Sequence, residues 1–514
     1  MSDSELVLIV DYGSQYTQLI ARTIRELRIY CEVVPPWVPV EHVREKAPGA
    51  LVLSGGPASV GDADAPQIRE EILDLGIPVL GVCYGQQVLV RHLGGTVEAA
   101  REREYGPAEL RVADALDPLF DGVPAVSTVW MSHGDRVTAL PEGFRVLATS
   151  ENSPFAAIRH DSRPLYGIQF HPEVSHTEAG RRLLENFLSG VAGLHGTWTM
   201  EEFIDRTLVA LRDRIGSGQV ICGVSGGVDS TVVAALLHRA IGSQLHCILI
   251  DNGLLRLGEV AEVQQMFGKQ LGIPLECVDA SAEFLQRLAG VEDPEKKRIS
   301  IGHTFVEVFE RVAARFSDAR FLAQGTLYPD VIESVSVWGP SATIKTHHNV
   351  GGLPEKMRME VVEPLRELFK DEVREVADRL GIEREVWNRH PFPGPGLAIR
   401  VLGEVTPERL DIVRRADRIV IGEIRDAGWY ERLWQAFAVF LPVRSVGVMG
   451  DARSYEHTIC VRCVTSRDAM TADWAEIPHE ILARISNRII NEVPGINRVV
   501  YDISTKPPST VEWE

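Results

Sequence analysis

The sequence predicts two successive α/β units followed by an α+β segment, on three observations. Short, wholly apolar runs alternate with amphipathic stretches through most of the chain, the pattern of buried parallel strands and covering helices. Two of those runs end in a glycine-rich turn that opens a helical pattern. Past a proline-punctuated break the alternation stops, and two long helical patterns with a few strands take over.

In order, the runs Leu6–Val10, Ala50–Leu53, Pro78–Val82 and Leu165–Phe170 read as buried strands, with an amphipathic helix around Tyr16–Leu27. Around Ser189–Thr199 the sequence loosens into small residues and glycines, so a first domain is expected over residues 1–192. A second series follows: strand Val220–Val224, helix Thr231–Ile241, strand Leu245–Ile250, helix Gly258–Leu271, strand Leu275–Asp279, helix Thr304–Phe316 and strand Phe321–Ala323. In His390-Pro391-Phe392-Pro393-Gly394-Pro395-Gly396, three alternating prolines can continue neither a helix nor a central strand. That break closes a second domain, 193–390, and opens a third, 391–514. The third carries helical patterns at Pro407–Ala427 and Ile477–Val493 and strands near Val446–Met449, Thr458–Val464 and Val499–Ile503.

At 514 residues the chain exceeds one ordinary core, and 45% hydrophobic with 24% charged residues is a soluble globular composition. A net charge of −19 disfavours nucleic acid and anionic membranes as partners. The acidic start and the five-residue run Leu6–Val10 predict neither a signal peptide nor a membrane span. Seven scattered cysteines form no disulfide framework, so a reducing cytoplasm is expected. Cys460 and Cys463 lie in a strand pattern, where residues three apart face opposite ways; buried structural thiols are expected there.

Gly81-Val82-Cys83-Tyr84-Gly85 sits between an apolar strand and the helix-like Gln86–His92, the context of a nucleophile elbow bearing a thiol. The helix N-terminus favours thiolate at Cys83. A lone cysteine is more often a packing residue, but Phe170-His171-Pro172-Glu173 supplies a partner. Proline forces His171 towards extended backbone, where a residue two further on shares its face. Cys83, His171 and Glu173 thus read as nucleophile, base and orienter. Ser54-Gly55-Gly56-Pro57, after another strand, offers backbone N–H groups; Gly56 and Tyr84 are the candidate oxyanion-hole donors. GVCYGQQ with QFHPEV resembles the class I glutamine amidotransferases, which implies glutamine hydrolysis through a Cys83 thioester and release of ammonia. His133, in Met131-Ser132-His133-Gly134-Asp135, is read as a structural loop histidine.

Val220–Val224, Ser225-Gly226-Gly227-Val228-Asp229-Ser230 and the helical pattern from Thr231 form a strand, loop and helix whose N–H groups cradle an anion. No Gly-Lys-Ser/Thr closes the loop, so it is not a Walker A motif. Asp229 inside a phosphate cradle repels its ligand unless a cation intervenes, so Mg²⁺ is expected at Asp229. The motif resembles the PP-loop of the N-type ATP pyrophosphatases, which implies that Ser225, Gly226, Gly227, Val228, Asp229, Ser230 and Thr231 bind ATP. Asp251 would flank the nucleotide. Ile344–Gly352 is polar and cationic, and as a lid would bring Lys345 to the ATP phosphates.

The pairing of both motifs with IKTHHNVGG, HPFPGPGL and the segment Lys506–Glu514 resembles the glutamine-hydrolysing GMP synthases over the whole chain. That resemblance implies a class I amidotransferase α/β domain, a PP-loop (adenine nucleotide alpha hydrolase-like) parallel-sheet α/β domain, and a C-terminal α+β dimerisation domain. It implies glutamine, ATP and xanthosine monophosphate (XMP) as substrates, Mg²⁺ as cofactor and a homodimer. It further implies Arg298, Asp330, Gln435, Lys506 and Glu512 as XMP contacts. A non-catalytic glutamine or nucleotide sensor is disfavoured by intact residues at every triad and loop position. A tRNA-modifying PP-loop enzyme is disfavoured by the acidic balance.

Overall fold

The computed structural model describes residues 5–335, 359–449, 452–466 and 471–514. They form two compact units. The first gathers the chain up to Phe203 with the helix Tyr328–Val335; the second takes Ile204–Thr326 and the described residues from 359 onward.

The first unit is built on nine strands: β1 Leu6–Val10, β2 Tyr30–Val34, β3 Ala50–Leu53, β4 Val79–Val82, β5 Thr96–Val112, β6 Val126–Ala139, β7 Phe144–Thr149, β8 Ala157–His160 and β9 Leu165–Ile168. Their order is β2-β1-β3-β4-β9-β8-β7-β5-β6. The five from β2 to β9 pair in parallel, and the remainder extend the sheet antiparallel. β1, β3, β4 and β9 are buried along their whole length, as apolar runs covered on both faces must be. The helix Thr17–Glu26 packs Ile20, Ala21 and Ile24 inward at helical spacing.

β5 and β6 form a long ribbon that the apolar runs do not reveal. β5 carries Arg101, Glu102, Arg103 and Glu104, and β6 buries only side chains of one alternating set, Ser127, Val129, Met131, His133 and Val137. His133 is therefore a strand residue, not a loop residue, and lies opposite Glu104 in the register.

The second unit holds two sheets around one apolar core. β10 Gln219–Val224, β11 Leu245–Asp251, β12 Leu275–Asp279, β13 Ala319–Ala323 and β14 Glu360–Val362 form an all-parallel sheet in the order β12-β11-β10-β13-β14. β15 Gln435–Met449 and β16 Ala452–Thr465 pair antiparallel; β17 Asp473–Trp474 and β18 Ile496–Tyr501 also pair with β16. The helices Pro407–Asp426 and His479–Glu492 bury Val413, Val420, Ile485 and Ile489 in the shared core. The helix expected at Thr304–Phe316 runs from Pro294 to Ala313; Asp293 caps it by accepting from Lys296 N–H, with Pro294 in the first turn. Cys460 and Cys463 are free and belong to different apolar clusters, on opposite faces of β16. Burial pushes both thiols up to about 12.

Candidate active sites

Neighbouring parallel strands β1, β3, β4 and β9 end at one edge of the first sheet, and each delivers a loop there. β4 runs into Cys83, which turns the chain into the helix Tyr84–His92 with φ +52° and ψ −105°. That left-handed backbone costs a non-glycine residue about 1–3 kcal/mol and lifts the thiol out of the sheet. The turn is too tight for larger neighbours: a Cβ on Gly81 would lie 2.7 Å from Gln86 N, and one on Gly85 2.3 Å from the Leu53 carbonyl oxygen.

β9 runs into Gln169 and His171. The His171 N–H donates to the Trp130 carbonyl (3.0 Å), the Thr177 hydroxyl donates to the His171 carbonyl (2.6 Å), and His171 Nδ1 meets Glu173 Oε1 at 2.7 Å. Both side chains are buried. Burial alone would lower the His171 pKa, but the charge of Glu173 and hydrogen-bonded Cys83 outweigh it, so the imidazole is held well above its usual value.

β3 delivers Gly56 to the same edge, where its Cα packs so close that a Cβ would sit 2.9 Å from the Tyr12 carbonyl oxygen and 3.3 Å from the Tyr84 ring. Tyr84 is the first residue of its helix, so its N–H has no acceptor within the helix. His133 Nδ1 bonds the Asp135 carbonyl (2.9 Å) and Nε2 meets Glu104 (3.1 Å), while the neighbouring Ser132 carbonyl accepts from the Cys83 thiol (3.6 Å).

The central strand β10 of the second sheet runs into Ser225. Gly227 N–H and the Ser230 hydroxyl meet Ser225 Oγ (3.3 and 3.1 Å), and Thr231 Oγ1 donates to the Gly227 carbonyl (2.8 Å), shaping the loop before the helix Val228–Ile241. Asp229 Oδ2 pairs with Lys370 Nζ, and Oδ1 is buried with no hydrogen-bond partner among the described residues. Lys370 was invisible to motif reading, since it begins a separate helix 141 positions later. Asp251 accepts from Gly253 N–H (2.9 Å) at the end of β11. Lys345 lies outside the described residues.

The residues expected around XMP divide. Gln435 Nε2 donates to the Glu512 carboxylate (2.7 Å) and the Pro391 carbonyl (3.1 Å). Glu512 also takes Arg400 Nε and Nη2 at 3.1 and 2.9 Å, and Arg400 is fully buried over the Phe437 ring. Arg298 donates to the Glu514 main-chain oxygen, and Lys506 pairs through its backbone with Ala472. Asp330 belongs to the first unit, where it accepts from Leu327 N–H (2.9 Å).

Three family models match: glutamine amidotransferase class-I over residues 8–191, NAD synthase over 200–298, and the GMP synthase C terminal domain over 422–513. Proteins described as glutamine-hydrolysing GMP synthases are similar end to end. That of Maridesulfovibrio salexigens is 56% identical over 516 residues, and that of Solidesulfovibrio magneticus 57% over 517, each covering 100% of both chains. The chain belongs to the glutamine-hydrolysing GMP synthases. Among solved structures, a putative GMP synthase subunit from Thermoplasma acidophilum is 31% identical with a TM-score of 0.33, covering 38% of this chain and 96% of that one. As a GMP synthase of this family, the chain joins an amidotransferase domain to an ATP-using PP-loop domain, a class that generally needs a divalent metal. No helix among the described residues is long and apolar enough to cross a membrane.

Proposed function

We propose that the chain makes GMP by two reactions in series, one at each strand-end loop. In the first, the Cys83 thiolate attacks the glutamine carboxamide carbon, and the N–H groups of Gly56 and Tyr84 receive the developing oxyanion. The His171 proton passes to the departing ammonia, leaving a thioester on Cys83. Water then adds with His171 as base, glutamate leaves, and the thiolate returns. Glu173 holds the imidazole in register and stabilises its charged form.

In the second, the C2 oxygen of XMP attacks the ATP α-phosphorus and pyrophosphate leaves. Ammonia then displaces AMP from C2 to give GMP. The Ser225–Ser230 N–H groups and the helix N-terminus hold the phosphates, with Lys370 and Lys345 as counter-charges. Asp229 fits a cation: its buried Oδ1 has no hydrogen-bond partner among the described residues, and Oδ2 already attracts the Lys370 ammonium. When bound there, Mg²⁺ supplies charge neutralisation on the phosphate oxygens. Among the described residues no group of three or more His, Cys, Asp or Glu side chains is placed to hold a metal ion. Arg298, Gln435, Lys506 and Glu512, all of the second unit, complete the reading as XMP contacts.

We assign the three steps of function to residues 1–192 (glutaminase), 193–390 (ATP pyrophosphatase) and 391–514 (XMP binding and dimerisation), in a cytoplasmic homodimer. Exposed Val443, Val448, Tyr455 and Ile503 in the third segment support self-association there.

The observation that carries the proposal is the Cys83–His171–Glu173 constellation in a chain that also holds the Asp229 cradle. Its test is incubation with XMP, ATP, Mg²⁺ and either glutamine or ammonium. GMP, AMP and pyrophosphate should form in equal amounts with either nitrogen source. Orthophosphate and ADP in place of AMP and pyrophosphate would refute the adenylation step.

A further inference from the structure

Beyond the triad, the Cys83 sulfur meets a second side chain. Gln169 Nε2 lies 3.7 Å from Sγ, and Gln169 is 1% exposed. A chain of acceptors fixes which end of this amide faces the sulfur. The Asp135 carbonyl can only accept, and it takes a bond from Gln87 at 3.0 Å, so the Gln87 atom there is Nε2. The same Nε2 contacts Gln169 at 3.3 Å, so the Gln169 atom facing it is Oε1. The amide nitrogen of Gln169 is thereby turned to the sulfur.

We propose that Gln169 is a further catalytic residue of the glutaminase site, donating an N–H to the Cys83 thiolate, and that Gln87 is its positioning residue. The inference rests on Cys83 being the nucleophile. The donor stabilises charge on sulfur in the resting enzyme and again when the tetrahedral adduct of the thioester with water collapses and expels thiolate. In that collapse the carbon–sulfur bond breaks, its electron pair stays on sulfur, and the carbonyl of glutamate re-forms. Hydrogen bonds to a charged acceptor are about twice as strong as neutral ones. The other groups around the sulfur act differently. His171, backed by Glu173 and edged by the Tyr16 ring, exchanges the proton. The Ser132 carbonyl, beside the His133–Glu104 pair, accepts from the sulfur only while it carries its proton and gives the thiolate no support. The Asp135 carboxylate is taken by the Ser59 hydroxyl.

The test is the pH dependence of Cys83 alkylation by iodoacetamide in the full chain, resolved by peptide mass spectrometry so that Cys277 and the other thiols are counted apart. Gln169→Met keeps length and volume but has no N–H, and should raise the alkylation midpoint by about one pH unit, a tenfold loss of thiolate below it. Gln169→Glu should raise it further by placing a carboxylate beside the sulfur. Gln87→Met frees the Gln169 amide to rotate and should raise it less. An unchanged midpoint in folded Gln169→Met and Gln169→Glu overturns the proposal, because a purely structural side chain would alter stability without moving the titration. Should Gln169→Met fail to fold, Gln169→Glu and Gln87→Met carry the same reading. The underlying assignment is tested apart: wild-type protein alkylated at Cys83 should lose glutamine-dependent synthesis alone. If it keeps that synthesis, the nucleophile assignment fails whatever the midpoints do.

Discussion

Replacing Glu173 with glutamine removes one charge from a buried pair while leaving an oxygen able to accept from His171 Nδ1–H. The wild-type contact is 2.7 Å, and the two side chains are 0% and 3% exposed. Opposite unit charges about 4 Å apart at an effective dielectric near 20 attract by about 4 kcal/mol, an attraction that the burial of both groups partly offsets. Burial opposes the charge throughout and Cys83 also supports it, so the His171 pKa should fall when the Glu173 charge is removed. The imidazolium is then less populated near neutrality, and glutamine-dependent synthesis should fall about a hundredfold at pH 7.5. Ammonia-dependent synthesis, which does not use this site, should be retained. The stability contribution has a definite sign. A histidine raised by its partners stabilises fully below its unfolded value of about 6.5, and that contribution fades as pH climbs through the raised folded value. Glu173→Gln should therefore cost more stability at pH 6 than at pH 9, read from urea unfolding, with glutamine- and ammonia-driven GMP formation followed from pH 6 to 9. Unaltered glutamine kinetics across that range would refute the charge argument and leave Glu173 a spacer.

Three further outcomes are expected. Cys83→Ala should abolish glutamine-dependent GMP formation and keep ammonia-dependent formation; loss of both in a folded variant would break the two-site reading. Asp229→Ala should lower synthesis from either nitrogen source at least about a hundredfold, measured as pyrophosphate release, and activity kept at ordinary Mg²⁺ would reduce Asp229 to a favourable charge in the first helical turn. Glu512→Ala strands the fully buried Arg400 guanidinium, so the second unit should lose about 3 kcal/mol in denaturant unfolding and the KM for XMP should rise; unchanged stability would mean that Asp417, 3.7 Å from Arg400 Nη1, suffices.

Much of the fold was legible because its decisive signals are local. A parallel strand buried on both faces must be a continuous apolar run, so β1, β3 and β4 could be read with nearly their observed bounds. The glycine turns that follow such strands need residues without a Cβ, which is why the Cys83 elbow and the Ser225–Ser230 loop stand out in the sequence. The two-residue spacing of His171 and Glu173 likewise fixes a contact with little help from the rest of the chain.

What the sequence left undecided lies across long separations. β15 adds to its predicted piece the fully buried apolar residues 436–440, whereas β5 is charged, because an antiparallel strand with one solvated face is defined by its partner and not by its own apolarity. Only that pairing carries the Ser132 carbonyl to the thiol and His133 to Glu104. Lys370 meets Asp229 from a helix that bears no motif, and Arg400, three residues past HPFPGPGL, grips Glu512 more than a hundred positions on. Local periodicity encodes which residues become strand, turn or helix. Which charges share a buried space is decided by the packing of whole layers, where an unpaired ion costs more than any local preference can offset.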